Sequence, residues 1–243
     1  RRPILYRGEI YSGAIEKKRN MRLKQPAVSY EAARAKLLKD VDIVKNELQS
    51  LPTRKRLPNE SVVCFRVSRQ FDAKSYYPGA LFASSNDFEE IGSRKYREQG
   101  EVEGSYGRLF FVRATEVALN NFEKKLHKPE AALYDNFKLD IRKMAAIDLL
   151  RPDEQILGFE DKWQSGRIEA ILHPFAMDRR LAIEHFKGIL AEGGVNLAAV
   201  RIKQYGDSGL TFVSVPASIE TVTALKGYNP LRTAHPLTFR SLP

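Results

Sequence analysis

One order of predicted elements occurs twice along this chain: strand, helix, strand, strand, helix, strand. The second occurrence is the clearer one, because short apolar runs alternate with helices that begin at capping residues and end at glycines. Its predicted elements are a strand at Arg167–His173, a helix from Asp178 to Gly193–Gly194, strands at Val200–Tyr205 and Leu210–Val215 around a tight turn, a helix from Ser218 to Gly227, and a strand at Leu231–Leu237.

The first occurrence follows the same order with more polar sequence. Alternating β-branched and aromatic residues mark its strands, and Thr115 is placed to cap its second helix. Its predicted elements are a strand at Ser61–Val67, a short helix at Ala73–Ala83 interrupted by Pro78 and Gly79, strands at Phe88–Arg97 and Arg108–Arg113, a helix after Thr115, and a strand at Ile141–Leu150.

This repeated order predicts an α+β protein made of two tandem ferredoxin-like βαββαβ units. Right-handed crossovers place both helices of such a unit on one face of its antiparallel sheet. In the third strand of the first unit, Leu109 and Phe111 point to one face and Phe110 and Val112 to the other. Both faces are therefore apolar, and the face without helices must be covered by the other unit, by an N-terminal helix or by another protein.

The predicted domain organisation has four parts. Residues 1–60 form a basic arm and a helix, residues 61–150 the first unit, residues 151–166 a connector, and residues 167–243 the second unit with an extended tail. The N-terminal helix is predicted to begin at Ser29 and to end before Pro52. Its apolar stripe has helical spacing and indicates a face that packs on the core or, less simply, binds a partner helix; it comprises Tyr30, Ala33, Leu37, Val41, Val44, Leu48 and Leu51.

The charge of the chain favours an acidic partner. Its formal net charge is +10, with local clusters at residues 17–24 and at Arg54–Arg56 that read either as solvated basic linkers or as a phosphate site. Nucleic acid is thus one possible partner, and an RNA-recognition module shares the βαββαβ order. The match is incomplete, because the first strand of each unit offers little exposed aromatic surface. Nucleic-acid binding therefore stays open as the alternative function.

No complete catalytic or metal-binding constellation is visible. Gly206–Gly209 resembles the sequence around the nucleophile of chymotrypsin-like proteases, but Gly, Asp and Ser between two apolar strands are more typical of a turn. The cysteine at position 64 and the scattered histidines lack metal-ligand spacing, and that cysteine reads as a core residue. The chain is therefore predicted to be no enzyme and to hold no cofactor or metal; the histidines are His127, His173, His185 and His235.

Several segments in a fixed order resemble the N-terminal region of a family of bacterial subtilisin-like serine proteases, along nearly the whole chain. The Asp, His and Ser motifs of the protease domain itself are absent from this sequence. The segments that carry the resemblance are Arg2–Gly8, Ala73–Pro78, Ile91–Arg94, Leu109–Arg113, Asp148–Leu150 with Leu157–Phe159, Leu172–Pro174, and Gly227–Leu237.

The resemblance implies that the chain is the prodomain of such a protease. Subtilisin prodomains have a ferredoxin-like fold, assist folding of the protease, and then inhibit it through a C-terminal tail in the active-site cleft. The implied partner is the cognate protease domain, and members of this family are often encoded beside an AAA-type ATPase. This chain departs from the simplest subtilisins in having two units and an extra helix, which implies additional regulatory contacts.

The C-terminal residues are the predicted inhibitory segment. Two prolines bracket residues 236–243 and no helix or hairpin pattern remains, so an extended tail is predicted, although a frayed terminus would read the same way. An extended segment can pair beside a cleft and fill pockets with alternate side chains. The predicted site residues are His235, Pro236, Leu237, Thr238, Phe239, Arg240, Ser241 and Leu242.

A cytoplasmic location is expected. The single cysteine fits a reducing compartment, no apolar run is long enough to span a bilayer, and no secretory leader is visible. The chain begins at Arg1 rather than at methionine, so further N-terminal sequence is also expected.

Overall fold

The protein is described by a computed structural model that covers residues 28–71, 76–83, 88–95, 106–204 and 209–237. Its first element is a long helix, α1 (Tyr30–Ser50), whose N-terminus is capped by the Ser29 side chain accepting from the amide of Ala32. Six residues of the predicted apolar stripe are buried on α1, and Leu51, which follows the helix, is half-buried. Among the described residues, no helix is both long and apolar enough to cross a bilayer.

The first unit is a four-stranded antiparallel sheet with helices on one face. The strands lie in the order β2–β3–β1–β4, so the first strand pairs with the third and the fourth. The elements are β1 (Ser61–Ser68), α2 (Gly79–Phe82), β2 (Phe88–Lys95), β3 (Tyr106–Ala114), α3 (Glu116–Leu126), α4 (Asp135–Lys143) and β4 (Met144–Asp148).

The second unit repeats this topology after a short connecting helix. Its strand order is β6–β7–β5–β8, which is again second, third, first and fourth strand of the unit. The elements are α5 (Pro152–Gln155), β5 (Ser165–Leu172), α6 (Arg179–Glu192), β6 (Arg201–Gln204), β7 (Thr211–Ser218), α7 (Ile219–Leu225) and β8 (Leu231–Pro236). The predicted fold class, tandem ferredoxin-like units preceded by a helix, is confirmed.

Two predicted elements of the first unit differ from the structure. The helix expected across Ala73–Ala83 is one turn, α2, because Pro78 and Gly79 stand at its start; residues 72–75 lie outside the described residues. The strand expected across Ile141–Leu150 is the end of α4 followed by the shorter β4. In α4, Phe137 and Ile141 are both buried and stand four residues apart, which is helical spacing.

α1 completes the core of the first unit. It packs against α3, α4 and β4, and its buried stripe joins the side chains from the helix-covered face of the sheet. It also protects an edge of the sheet, because the Asp40 carboxylate accepts from the amide of Ile147 in β4 at 3.1 Å. The stripe on α1 is therefore a core-facing surface, and the partner-helix interpretation is wrong.

The second unit covers the other face of the first sheet. That face carries the buried residues Val62, Cys64, Leu109 and Phe111. His173, at the end of β5, packs on Phe111 with ring centroids 4.5 Å apart. In this contact region between the two units, called the junction below, Asn229 pairs with the backbone of Val62. Its side chain accepts from the amide of Val62 at 2.7 Å and donates to the carbonyl at 2.8 Å. The sequence left three alternatives for what covers the helix-free face of the first sheet, and in the structure it is the second unit.

The junction also contains a buried ionic cluster. Arg66 of β1 has a side chain 1% exposed, and its guanidinium donates to both oxygens of Glu154 at 2.7 and 2.8 Å. Its Nε also donates to Asp148 at 2.7 Å. Gln155 of the same connecting helix donates to the carbonyls of Tyr228 and Leu231 in the second unit. Helix α5 thus binds the two sheets to each other.

Candidate functional site

The open face of the second sheet is the candidate site. Successive side chains along its strands point to opposite faces of the sheet. One set packs with α6 and α7 in the core of the unit: Ile168, Ala170 and Leu172 on β5, and Val213, Val215 and Ala217 on β7. The intervening side chains point to the face without helices. In the described part of the chain they are half-buried or exposed, so this face is accessible where the corresponding face of the first sheet is covered.

An apolar centre lies on this face. Ile171 of β5 is directly opposite Phe212 of β7, and Phe212 is opposite Lys203 of β6. Ile171 and Phe212 are half-buried, whereas Lys203 is exposed at the sheet edge. Cross-strand apolar pairs of this kind on an accessible sheet face provide a flat surface for contact with another macromolecule.

A polar row runs beside the apolar centre. Arg201, Ser214, Glu169 and His235 are successive partners across β6, β7, β5 and β8. Arg167 donates to Ser214 at 3.1 Å, and the His235 Nε2 atom lies 3.6 Å from Glu169, where a protonated imidazole would form an ion pair. Among its described residues, the face therefore carries three permanent cations, Arg167, Arg201 and Lys203, and one carboxylate, Glu169, which gives this part of it a net positive charge.

The structure places the first three predicted site residues at the border of this face. His235 and Pro236 belong to β8, paired with Glu169 and Ile168, rather than to a free tail. Leu237 follows the strand, and its amide donates to the carbonyl of Arg167 at 2.8 Å, so the sheet pairing continues one residue further. The remaining predicted site residues, Thr238, Phe239, Arg240, Ser241 and Leu242, lie outside the described residues.

β8 is held on both of its sides, which fixes the position of Leu237. One side pairs with β5, and on the other Ile156 of the connector bridges to Ala234, while the amide of Leu157 donates to the carbonyl of Ala234 at 2.9 Å. The opposite edge of the sheet, β6, is short and carries exposed Arg201 and Lys203, a common protection of edge strands against unwanted pairing.

The residues considered for catalysis do not converge. His173 is buried at the junction, His185 Nδ1 lies 3.0 Å from the Tyr228 hydroxyl, His235 is on the open face, and His127 is exposed after α3. Cys64 is a buried free thiol, and burial raises its pKa. Residues 206–208 of the serine-containing turn lie outside the described residues, and within the described ranges no three potential metal ligands cluster.

One basic cluster has a structural role that its composition did not reveal. Lys55 donates to the carbonyls of Ala224 and Lys226 at the end of α7, the second at 3.0 Å, and Arg54 lies 3.1 Å from Glu192 of α6. Arg54 and Lys55, which belong to the predicted N-terminal part, therefore bind to α6 and to the end of α7 in the second unit. These contacts join residues 138 to 171 positions apart in sequence, so no local sequence pattern predicts them.

Sequence reasoning also missed most residues of the open face. The strand predicted at Arg167–His173 alternates apolar residues with Arg167, Glu169 and Ile171, and these three belong to the open face. That alternation is the signal that could have found them. Of the aromatic residues on the third strands of the two units, Phe212 lies on the open face, where a base could stack on it, whereas Phe110 is 3% exposed in the helix-side core.

Comparison with known proteins gives little guidance. No family model matches the chain, and no curated protein matches it. One similar solved structure, described provisionally as a glycine cleavage system transcriptional repressor, aligns over 66% of this chain and 80% of that chain with 10% identity and a TM-score of 0.20. A TM-score this low carries no argument about sites or function.

Proposed function

We propose that this chain is the prodomain of a subtilisin-like serine protease, which assists folding of the protease domain and then inhibits it. The open face of the second sheet docks on the protease, and the tail that follows Leu237 enters or approaches the active-site cleft. The chain itself catalyses no reaction. It acts in the cytoplasm, in keeping with its lone buried thiol, and an AAA-type ATPase is a further possible partner.

One observation carries this proposal: an accessible sheet face with an apolar centre lies beside the strand that leads into the tail. Ile171 and Phe212 form the centre of the face, and β8 borders it as the edge strand next to β5. A tail that leaves this position starts in an extended conformation next to the docked surface, as strand addition to a cleft requires. The segments that resemble the protease family occur in the same order along this chain, and this shared order is the second support for the proposal.

Binding to the separately produced cognate protease domain tests the docking surface. The variant Ile171→Thr/Phe212→Thr keeps β-forming side chains but removes the apolar centre, and we expect it to weaken binding about tenfold or more, as loss of a central contact does. The matched control is Leu181→Thr, because Leu181 is also apolar, is 61% exposed and lies on α6. We expect that control to bind like the unmodified chain.

The same titration with single-stranded RNA distinguishes the alternative function. An RNA-recognition module would bind RNA with an affinity that falls steeply with salt and depends on Phe212. We expect weak binding that is indifferent to Phe212. Sub-micromolar, Phe212-dependent RNA binding together with no measurable protease binding would replace the prodomain proposal.

A further inference from the structure

A cavity of about 530 Å³ lies where α1, the first sheet and the second unit meet. The last turn of α1 forms one wall, residues 148–152 form the second, and Gly227 with Asn229 of the second unit form the third. Small-molecule sites in proteins have volumes of roughly 300–1,000 Å³ and often lie between domains. The cavity is therefore large enough for a ligand, and it is bordered by three separate parts of the fold.

The walls of the cavity are mostly apolar. Leu51, Leu149, Leu150 and Pro152 line it, and Leu150 is part of the buried face of the first sheet. Apolar walls with a few polar groups are the usual composition of sites that hold the body of an organic molecule. The walls therefore favour a ligand with an apolar portion over a bare inorganic ion.

The polar groups that line the cavity favour a ligand with a positive charge. Glu47 is exposed into it, and Asp148 lines it with 34% of its side chain exposed although Arg66 donates to both of its oxygens. The last turn of α1 carries no basic residue, so the negative end of the helix dipole adds to these carboxylates.

Arg151 is the cation on the cavity wall, and it has acidic neighbours of its own. Its Nε lies 3.4 Å from Asp153, which offsets its charge, and 3.5 Å from Glu154, which it shares with Arg66. Burial raises the pKa of Asp148 to about 6, which still leaves that carboxylate ionised at pH 7.5. Glu47 and Asp148 therefore remain the groups that a ligand's charge would meet.

We propose that this cavity binds a small organic cation with an apolar body. Its ammonium group faces Glu47 and Asp148, and its apolar part packs on Leu51, Leu149 and Leu150. This site goes beyond the proposed prodomain function and does not depend on it, because none of its lining residues belongs to the open face of the second sheet. A bound cation would contact α1 and both units at once.

Calorimetric titration of the full chain at pH 7.5 with phenethylammonium chloride tests the proposal. We expect saturable binding, and affinities at least about tenfold lower for 2-phenylethanol and 3-phenylpropionate, which keep the ring but remove or invert the charge. Absence of saturable binding of the cation, or equal binding of the three compounds, would overturn the proposal.

Two variants locate the site. Glu47→Gln removes one exposed carboxylate without changing its shape, and we expect the affinity for phenethylammonium to fall about threefold or more. Ser50→Trp, at another exposed position of the wall, fills the entrance and should abolish binding. Glu31→Gln is the matched control, because Glu31 lies in the first turn of the same helix. Unchanged affinity in both cavity variants would show that the cation binds elsewhere.

Discussion

At the scale of single residues, Arg66 ties the connecting helix α5 to the first sheet. Its guanidinium is almost fully buried and is held by Glu154 and Asp148. Burial alone would raise the pKa of Glu154, but its hydrogen bonds and charge interaction with Arg66 lower that pKa below its ordinary value. Removing one partner of a buried ion pair leaves the other charge uncompensated, which costs more than the pair itself contributes.

The first prediction concerns this pair. We expect Glu154→Gln to lower the free energy of unfolding by about 3 kcal/mol, because Arg66 keeps its charge and loses a bidentate partner. Urea denaturation followed by circular dichroism measures the change. Asp153→Asn is the control, since Asp153 is the preceding residue of the same helix but 68% exposed, and it should change stability by less than about 0.5 kcal/mol. Equal effects of the two variants would contradict the role assigned to Arg66.

His173 provides the second prediction, a dependence of stability on pH. Burial, and then the charges of Arg232 and Arg94, hold its pKa well below the ordinary value, and in the described structure neither ring nitrogen has a hydrogen-bond partner. Glu60 lines the same small gap. The unfolded chain therefore binds a proton more readily than the folded protein, and stability must fall as the pH decreases below about 6.5, by up to about 1.4 kcal/mol per pH unit.

Replacement of the imidazole isolates this contribution. We expect His173→Phe to keep a ring against Phe111 and to reduce the loss of stability between pH 6.5 and 5, measured by urea denaturation at each pH. His127→Gln, at an exposed position, should retain the slope of the unmodified chain. A His173→Phe variant with an unchanged slope would mean that other groups cause the acid sensitivity.

At the scale of elements, α1 is part of the core of the first unit. Leu37 is fully buried, whereas Ile43 on the same helix is 53% exposed. We expect Leu37→Ala to lower the free energy of unfolding by about 2–4 kcal/mol because it leaves a cavity between α1 and the sheet. Ile43→Ala should cost less than about 0.5 kcal/mol. Chemical denaturation of both variants checks this, and a small effect at Leu37 would indicate that α1 is a detachable element.

The elements that were predicted correctly have strong local signals. Ser29, Thr115 and Asp178 cap their helices through side chains that accept from backbone amides. Where such signals are weak, prediction failed: α4 has no side-chain cap, since Tyr134 precedes it, and it runs directly into β4. Ser218 precedes α7 as predicted, but its hydroxyl donates to Glu220. Local chemistry thus located most elements, and tertiary packing determined the boundaries between α4 and β4.

At the scale of the whole molecule, the two units form one body through side chains distant in sequence. Gln155 contacts the backbone at Gly227, Tyr228 and Leu231, while Arg232 stands over Phe111 at 4.7 Å and donates to the carbonyl of Ser93. The repeated element order predicted both sheets, but it could not predict which face of each sheet would remain accessible. The alternation along β5 identifies which side chains point away from α6 and α7, but only the contacts between the two units show that this face stays accessible while that of the first sheet is covered.

Inhibition of the cognate subtilisin-like protease domain measures the proposed role of the tail. The full chain and a variant lacking Thr238–Pro243 are compared in the same protease assay, with binding measured separately. We expect the full chain to inhibit tightly. We expect the truncated chain to stay folded and to bind through the open face, but to inhibit at least about a hundredfold more weakly. Equal inhibition by the two chains would show that the tail does not block the active site, and no inhibition by either would contradict the prodomain function itself.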